Sequence, residues 1–201
     1  ISNGLKIRLA IIFLLFTFSA HSQSADLRLL ENINGPVTGN DHFWRTLSAS
    51  AFFIDASTPL IMYATATWQD NHELKIHALE TAGALLIAGG ITFTAKNIIK
   101  RPRPFESYPE LIIKKDKGGG YSFPSGHTSM SFAAATSISL TCKRWYVTVP
   151  AFTYAAAVGY SRMYLGVHYP SDVLAGALTG CGSAYLSFHL QKWLLRKEAK
   201  R

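Results

Sequence analysis

The sequence predicts an all-α fold, a helical bundle with five or six transmembrane helices. Only 16% of its 201 residues are charged, against about 25% in an average soluble protein, and 48% are hydrophobic. The hydrophobic residues gather in long stretches. All four tryptophans fall at the ends of these stretches, as in the aromatic belts of membrane proteins: Trp44, Trp68, Trp145 and Trp193. Composition and pattern therefore both favour a single membrane-embedded domain.

The N-terminus has the pattern of a secretory signal. A short basic segment precedes the apolar run 9–18, and small residues follow as far as Ser22. The run is short for a membrane span, which needs about 20 residues. We therefore expect residues 1–22 to be a signal peptide or an uncleaved first anchor helix, with residues 23–201 forming the folded domain. Both alternatives send the following residues out of the cytoplasm.

Two long apolar stretches follow a mixed segment, residues 25–44, that predicts a short helix and loop on the membrane surface. The first stretch, 47–68, carries Asp55. If it spans the membrane, Asp55 should face the bundle interior, because a carboxylate in lipid is costly. An amphipathic helix of a soluble domain is the alternative. The second stretch, 76–95, is rich in alanine and glycine, which allow close helix packing in a bilayer.

Three more helices are predicted over residues 126–141, 147–160 and 173–190. Before them lies a long loop, residues 96–123, and loops of this length are usually functional. Its run of three glycines, Gly118 to Gly120, lacks the ending of a P-loop, so we interpret it as a flexible linker.

One short run sets a guanidinium, an imidazole and a carboxylate close together: Arg162, His168 and Asp172. Pro170 suits the first turn of a helix, so a helix is predicted to begin just after His168. Asp172 then reaches back to one ring nitrogen of His168 and leaves the other free to act as a nucleophile or base. A helix start with a satisfied histidine is the structural alternative.

Two other motifs supply anion-binding groups. Lys96 and Arg103 flank a basic run that two prolines end. Ser125, Gly126 and His127 stand at the start of an apolar helix, where unpaired backbone N–H groups favour anions. Lys100 and Arg101 lie within the same basic run, close enough to assist.

In this order the three motifs closely resemble the signature of the type 2 phosphatidic acid phosphatase superfamily, which includes lipid phosphate phosphatases, bacterial acid phosphatases and vanadium haloperoxidases. Every signature position between Lys96 and Asp172 is filled, whereas Lys100 and Arg101 do not match it. The resemblance implies that His168, oriented by Asp172, attacks phosphorus to form a phosphohistidine. His127 would protonate the leaving group and then activate water. The implied phosphate-binding residues are Lys96, Arg103, Ser125, Gly126 and Arg162.

We therefore expect a phosphatase that needs no metal or cofactor, because fixed cations neutralise the phosphate. The expected substrate is a phospholipid or a lipid of the lipid A type: lipid A, phosphatidylglycerophosphate, undecaprenyl pyrophosphate or phosphatidate. A secreted soluble acid phosphatase, a vanadate-dependent haloperoxidase and a non-catalytic scaffold are the alternatives. No nucleic acid partner is expected despite the net charge of +8, since the cations surround a histidine site. Nothing in the sequence indicates the oligomeric state.

The distribution of basic residues predicts the orientation. Lys143, Arg144 and the tail 192–201 would lie in the cytoplasm if the helices alternate, which puts all three motifs at the periplasmic face of a bacterial inner membrane. Three lysines of the long loop break this rule, and anionic lipid headgroups are our interpretation for them: Lys114, Lys115 and Lys117. The tyrosines near the third motif are expected at the membrane interface: Tyr160, Tyr164 and Tyr169. Cys142 and Cys181 are expected to be unpaired.

Overall fold

Seven helices and no strand make up the part of the chain that the structure, a computed structural model, describes, residues 25–198. They are α1 (25–34), α2 (Asp41–Trp68), α3 (His72–Ile99), α4 (Pro104–Ser107), α5 (Gly126–Cys142), α6 (Trp145–Tyr164) and α7 (Pro170–Glu198). The all-α prediction is confirmed. The predicted signal or anchor segment, residues 1–22, lies outside the described residues.

The long helices extend beyond the apolar stretches that predicted them. α3 begins four residues before its stretch, because the side chain of Asn71 accepts a hydrogen bond from the backbone N–H of Leu74 at 3.0 Å and caps the helix. It continues through Lys96 and ends at Lys100, whose φ of 51° is left-handed. The predicted loop 96–123 therefore starts later than expected, and α4 forms one helical turn within it.

The bundle carries its large apolar side chains on the outside. Phe52 on α2 is 65% exposed, Leu86 on α3 is 77% exposed and Leu178 on α7 is 67% exposed. The buried cluster between α3, α5 and α7 consists mainly of alanines: Ala84, Leu85, Ala88, Ala133, Ala134 and Ala184. Small residues inside and large apolar residues outside are the arrangement of helices that pack together in lipid. The surface therefore favours a membrane over water.

Length and composition agree with this surface. Three helical segments are long and apolar enough to cross a membrane, Asp41–Trp68, His72–Ser107 and Pro170–Leu194. The other two long helices of the bundle are α5 and α6, with 17 and 20 residues. Asp55 is buried and accepts a hydrogen bond from Ser131 Oγ at 2.7 Å, so its predicted interior position is confirmed.

α5 is the central helix and packs against α3, α6 and α7. The approach of α7 requires Gly180, since a Cβ there would collide with the backbone at Ser129 and Ala133. The C-termini of α3 and α6 and the N-termini of α5 and α7 lie at the same end of the bundle. That end carries all three sequence motifs.

Candidate active site

His168 lies in the short loop between α6 and α7 and is held by the first turn of α7. Its Nδ1 is 3.3 Å from Asp172 Oδ2, and the same oxygen accepts the backbone N–H of Tyr169 at 3.0 Å. α7 begins at Pro170, as predicted. With Nδ1–H directed to the carboxylate, Nε2 keeps its lone pair. The geometry predicted for this pair is confirmed.

Burial keeps the His168 imidazole neutral. His168 is 2% exposed, and this burial lowers its pKa to about 3, against the opposing effect of the Asp172 carboxylate. A neutral ring at physiological pH is the nucleophilic form. His168 therefore has the right charge state for attack without a separate base to deprotonate it.

Arg103 stands on the open side of the His168 ring. Its Nη1 is 3.4 Å from His168 Nε2 and donates to the carbonyl of Val167 at 2.8 Å. Its Nε and Nη2 donate to the carbonyls of Gly120 and Gly119 at 3.0 and 2.8 Å. The glycine run was predicted to be a flexible linker, but these carbonyls instead fix the guanidinium beside Nε2 of His168.

Lys96 and Arg162 complete a group of three cations. Lys96, in the last turn of α3, donates to the carbonyls of Tyr121 and Ser122 at 2.5 and 3.1 Å. Arg162, in the last turn of α6, is buried, and its Nη1 binds Asp116 Oδ2 at 3.0 Å. Its Nε is buried and has no hydrogen-bond partner among the described residues. Such a donor usually has a partner, and a phosphate oxygen would supply one.

The second motif forms the start of α5 beside the same cations. The backbone N–H of Ser125 donates to the Asp172 carbonyl at 3.0 Å, which joins α5 to α7. The Ser125 hydroxyl accepts from Thr128 Oγ1 at 2.8 Å, so its own hydrogen is free to donate. Gly126 and His127 occupy the first turn of α5, whose N–H groups lack intrahelical partners. His127 interacts electrostatically with all three cations of the site: Arg162, Arg103 and Lys96.

Two charged residues that the sequence motifs do not include support Asp172: Arg101 contacts it directly, and Asp26 contacts Arg101. Arg101 Nη1 donates to Asp172 Oδ1 at 2.6 Å, and its Nη2 donates to Asp26 Oδ2 at 2.8 Å. Asp26, in α1, also accepts the backbone N–H of Ser171 at 2.8 Å. The basic run in the sequence already places Arg101 close enough to assist, without distinguishing it from Lys100. Nothing in the sequence around Asp26 links it to a site that lies 145 residues away along the chain.

Two residues that were predicted at the membrane interface are buried inside the protein instead. Lys115 is buried, and its Nζ donates to the carbonyls of Asn34 and Pro36 at 2.5 and 2.8 Å, so it fixes the loop after α1 and is not available to lipid headgroups. Tyr169 is also buried, with the Arg101 guanidinium 3.8 Å from its ring centroid. In both cases a local sequence pattern gave no sign of the distant partner.

The described residues contain no group of three or more histidine, cysteine or acidic side chains that could hold a metal ion. Cys142 and Cys181 are free, as expected.

Comparisons with known proteins identify the family of the chain. The sequence profile of the PAP2 superfamily matches residues 77–196 of this chain. The undecaprenyl-diphosphatase of Sulfolobus acidocaldarius is 34% identical over 97 residues, 48% of this chain and 47% of that protein. The lipid A 4'-phosphatase of Bacteroides thetaiotaomicron is 40% identical over 85 residues, 39% of this chain and 35% of that protein. The matches thus span half or less of these curated relatives.

The fold has a counterpart among solved structures. The structure of a transmembrane PAP2-type phosphatidylglycerolphosphate phosphatase from Bacillus subtilis superimposes with a TM-score of 0.71 at 20% identity. The match covers 92% of this chain and 95% of that one. The two chains therefore share the same helical-bundle fold.

Proposed function

Because the chain belongs to the PAP2 superfamily, we propose that it is a membrane lipid phosphatase that cleaves a phosphate monoester or a diphosphate through a phosphohistidine. The observation that carries the proposal is the position of His168. Its Nδ1 faces a buried carboxylate and its Nε2 faces Arg103. In-line attack on a phosphate requires a nucleophile that is held in a fixed orientation and a cation beside the attacking atom. Asp172 and Arg103 meet these two requirements for His168.

Each candidate residue has a role in this reaction. Lys96, Arg103 and Arg162 neutralise the phosphate oxygens, and the free N–H of Arg162 binds one of them. The Ser125 hydroxyl and the N–H groups from Gly126 onward position the phosphate. His168 Nε2 forms a bond to phosphorus while the bond to the leaving oxygen breaks.

His127 serves both halves of the reaction. It gives a proton to the leaving oxygen and then takes one from the water that releases phosphate from His168. Asp172 keeps His168 in the required tautomer throughout.

The proposed substrates are those whose phosphate lies at a membrane surface: undecaprenyl diphosphate, lipid A, phosphatidylglycerophosphate or phosphatidate. The first two appear in the names of the relatives given above. We place the site at the periplasmic face of a bacterial inner membrane. Lys143, Arg144 and Lys192 support this orientation, because they lie at or near the opposite end of the bundle, where basic residues mark the cytoplasmic side.

The first experiment measures phosphate release by the detergent-purified chain in EDTA, with the lipid phosphates named above and with a soluble monoester. We expect turnover of one or more of the lipids and little of the soluble ester. Equal turnover of the soluble ester, together with release of the protein from membranes by carbonate, would favour the secreted acid phosphatase. Absence of phosphate release from every substrate would contradict the proposal.

Vanadate is expected to inhibit turnover competitively, because it adopts the five-coordinate geometry of the transition state and binds the same cations. EDTA is expected to leave the rate unchanged within about twofold, since the three fixed cations carry the charge that Mg²⁺ neutralises in kinases. Dose–response curves for both compounds, read as initial rates, check this. Loss of activity in EDTA that added Mg²⁺ restores would contradict the metal-independent mechanism. A vanadate-dependent oxidation of halide would favour the haloperoxidase alternative.

A further inference from the structure

A basic cleft lies beside the candidate site and has no role in the mechanism above. It has a volume of about 440 Å³, and four of its five lining residues are cationic: Arg45, Lys114, Lys115, Asp116 and Lys117. These residues come from the second turn of α2 and from the loop before the glycine run. We call this space the basic cleft.

Three of the four cations are exposed in the basic cleft. Lys115 is buried and engaged with backbone carbonyls, so it belongs to the wall. Arg45, Lys114 and Lys117 are exposed. Arg45 uses Nε to hold the Lys115 carbonyl at 2.5 Å, which fixes the guanidinium at the cleft. Exposed cations on a fixed frame form a site for an anion.

Asp116 joins the basic cleft to the candidate site. Its carboxylate lines the cleft, while its Oδ2 lies 3.0 Å from Arg162 Nη1. The cleft and the proposed phosphate site are thus separated by the width of one carboxyl group. A phosphate that binds the free Nε–H of Arg162 lies beside that carboxylate, and a second anionic group directly bonded to the phosphate would reach the cleft.

The surroundings place the basic cleft at the depth of lipid headgroups. Trp44, next to Arg45, packs against Tyr160 and Tyr164 with ring centroids 4.9 and 5.6 Å away. Clusters of tryptophan and tyrosine at helix ends mark the membrane–water interface. A lipid with its tail in the bilayer therefore brings its first phosphate to this level.

We propose that the basic cleft binds the non-reacting phosphate of a lipid diphosphate, so that the preferred substrates are diphosphates. The inference rests on the proposed function. The terminal phosphorus forms a bond to His168 Nε2, and its bond to the bridging oxygen breaks. The leaving group is a lipid monophosphate, whose added negative charge Arg45, Lys114 and Lys117 neutralise. Water then releases the terminal phosphate from His168.

The test compares farnesyl diphosphate with farnesyl monophosphate, which share one tail, in neutral phosphatidylcholine micelles. For each variant the ratio of kcat/KM for the diphosphate to kcat/KM for the monophosphate is measured. Lys114→Gln/Lys117→Gln and Arg45→Gln should each lower that ratio roughly tenfold, the effect of about one charge-assisted hydrogen bond. Arg144→Gln, at the opposite end of the bundle, is the control and should leave the ratio unchanged. Melting temperatures establish that all variants are folded.

Each other outcome is decisive. An unchanged ratio in both cleft variants, with the wild type active, overturns the cleft proposal and leaves the phosphatase intact. Inactivity of the wild type on both substrates contradicts the proposed function itself. A third arm repeats the assay in phosphatidylglycerol micelles. If the cleft variants slow both substrates equally in phosphatidylglycerol micelles, but not in phosphatidylcholine micelles, the cleft binds anionic lipid headgroups and not the substrate.

Discussion

Replacing His168 with alanine should lower kcat by on the order of 10³-fold or more, as loss of a nucleophile does in other covalent enzymes. In the proposed mechanism the imidazole is the group that forms the bond to phosphorus. No other described histidine lies between a buried carboxylate and an arginine. The measurement is initial phosphate release at saturating lipid substrate. Wild-type enzyme quenched during turnover with ³²P-labelled substrate should also carry an acid-labile, base-stable label that the variant lacks.

Two comparisons separate loss of chemistry from loss of fold. His189→Ala changes a histidine near the other end of α7, where it is exposed, and should retain normal turnover. Asp172→Asn should keep the fold and lower the rate, because the amide no longer fixes the tautomer of His168. Near-normal turnover in folded His168→Ala, or an unchanged label, would refute the phosphohistidine mechanism.

The contact between His168 and Asp172 could be predicted because it is encoded locally. His168 and Asp172 are four residues apart across a helix start, and Pro170 marks that start, so their contact follows from helix geometry. The helices were predictable for a similar reason, since long apolar stretches favour membrane helices whatever their partners are. Their ends were not, because caps such as Asn71 extend a helix into polar sequence.

Residues that support the site from a distance could not be predicted. Asp26 meets Ser171 across 145 residues of chain, and Asp116 meets Arg162 across 46. Lys115 is one of three lysines that the sequence does not distinguish, yet it alone is buried, because the loop after α1 provides backbone carbonyls for its ammonium group. A single sequence holds no signal for such pairings, because each depends on how separate helices pack.

A chain of paired charges passes from α1 to His168. Asp26 binds Arg101, Arg101 binds Asp172, and Asp172 orients His168. Asp172 is fully buried, so its two oxygens depend on these partners to remain a well-placed carboxylate. In the proposed mechanism Arg101 therefore acts through Asp172 without touching the phosphate.

Replacing Arg101 with glutamine should therefore slow turnover roughly tenfold to a hundredfold, since a hydrogen bond to a charged group contributes about 1.5–3 kcal/mol. The effect should appear in kcat with little change in KM, because Arg101 positions the nucleophile and does not bind substrate. Arg101→Lys should restore part of the rate by returning the charge. The measurement is kcat and KM for one lipid phosphate, with the melting temperature of each variant recorded beside them.

The neighbouring cation provides the matched control. Lys100 is the residue before Arg101, and its side chain is exposed. Lys100→Gln removes the same charge, and it should change neither kcat nor KM by more than about twofold. If Lys100→Gln and Arg101→Gln slow turnover equally, the effect comes from the overall charge of the basic run and not from the contact with Asp172. If Arg101→Gln raises KM alone, Arg101 binds the substrate phosphate directly, and the chain of paired charges has no part in orienting His168.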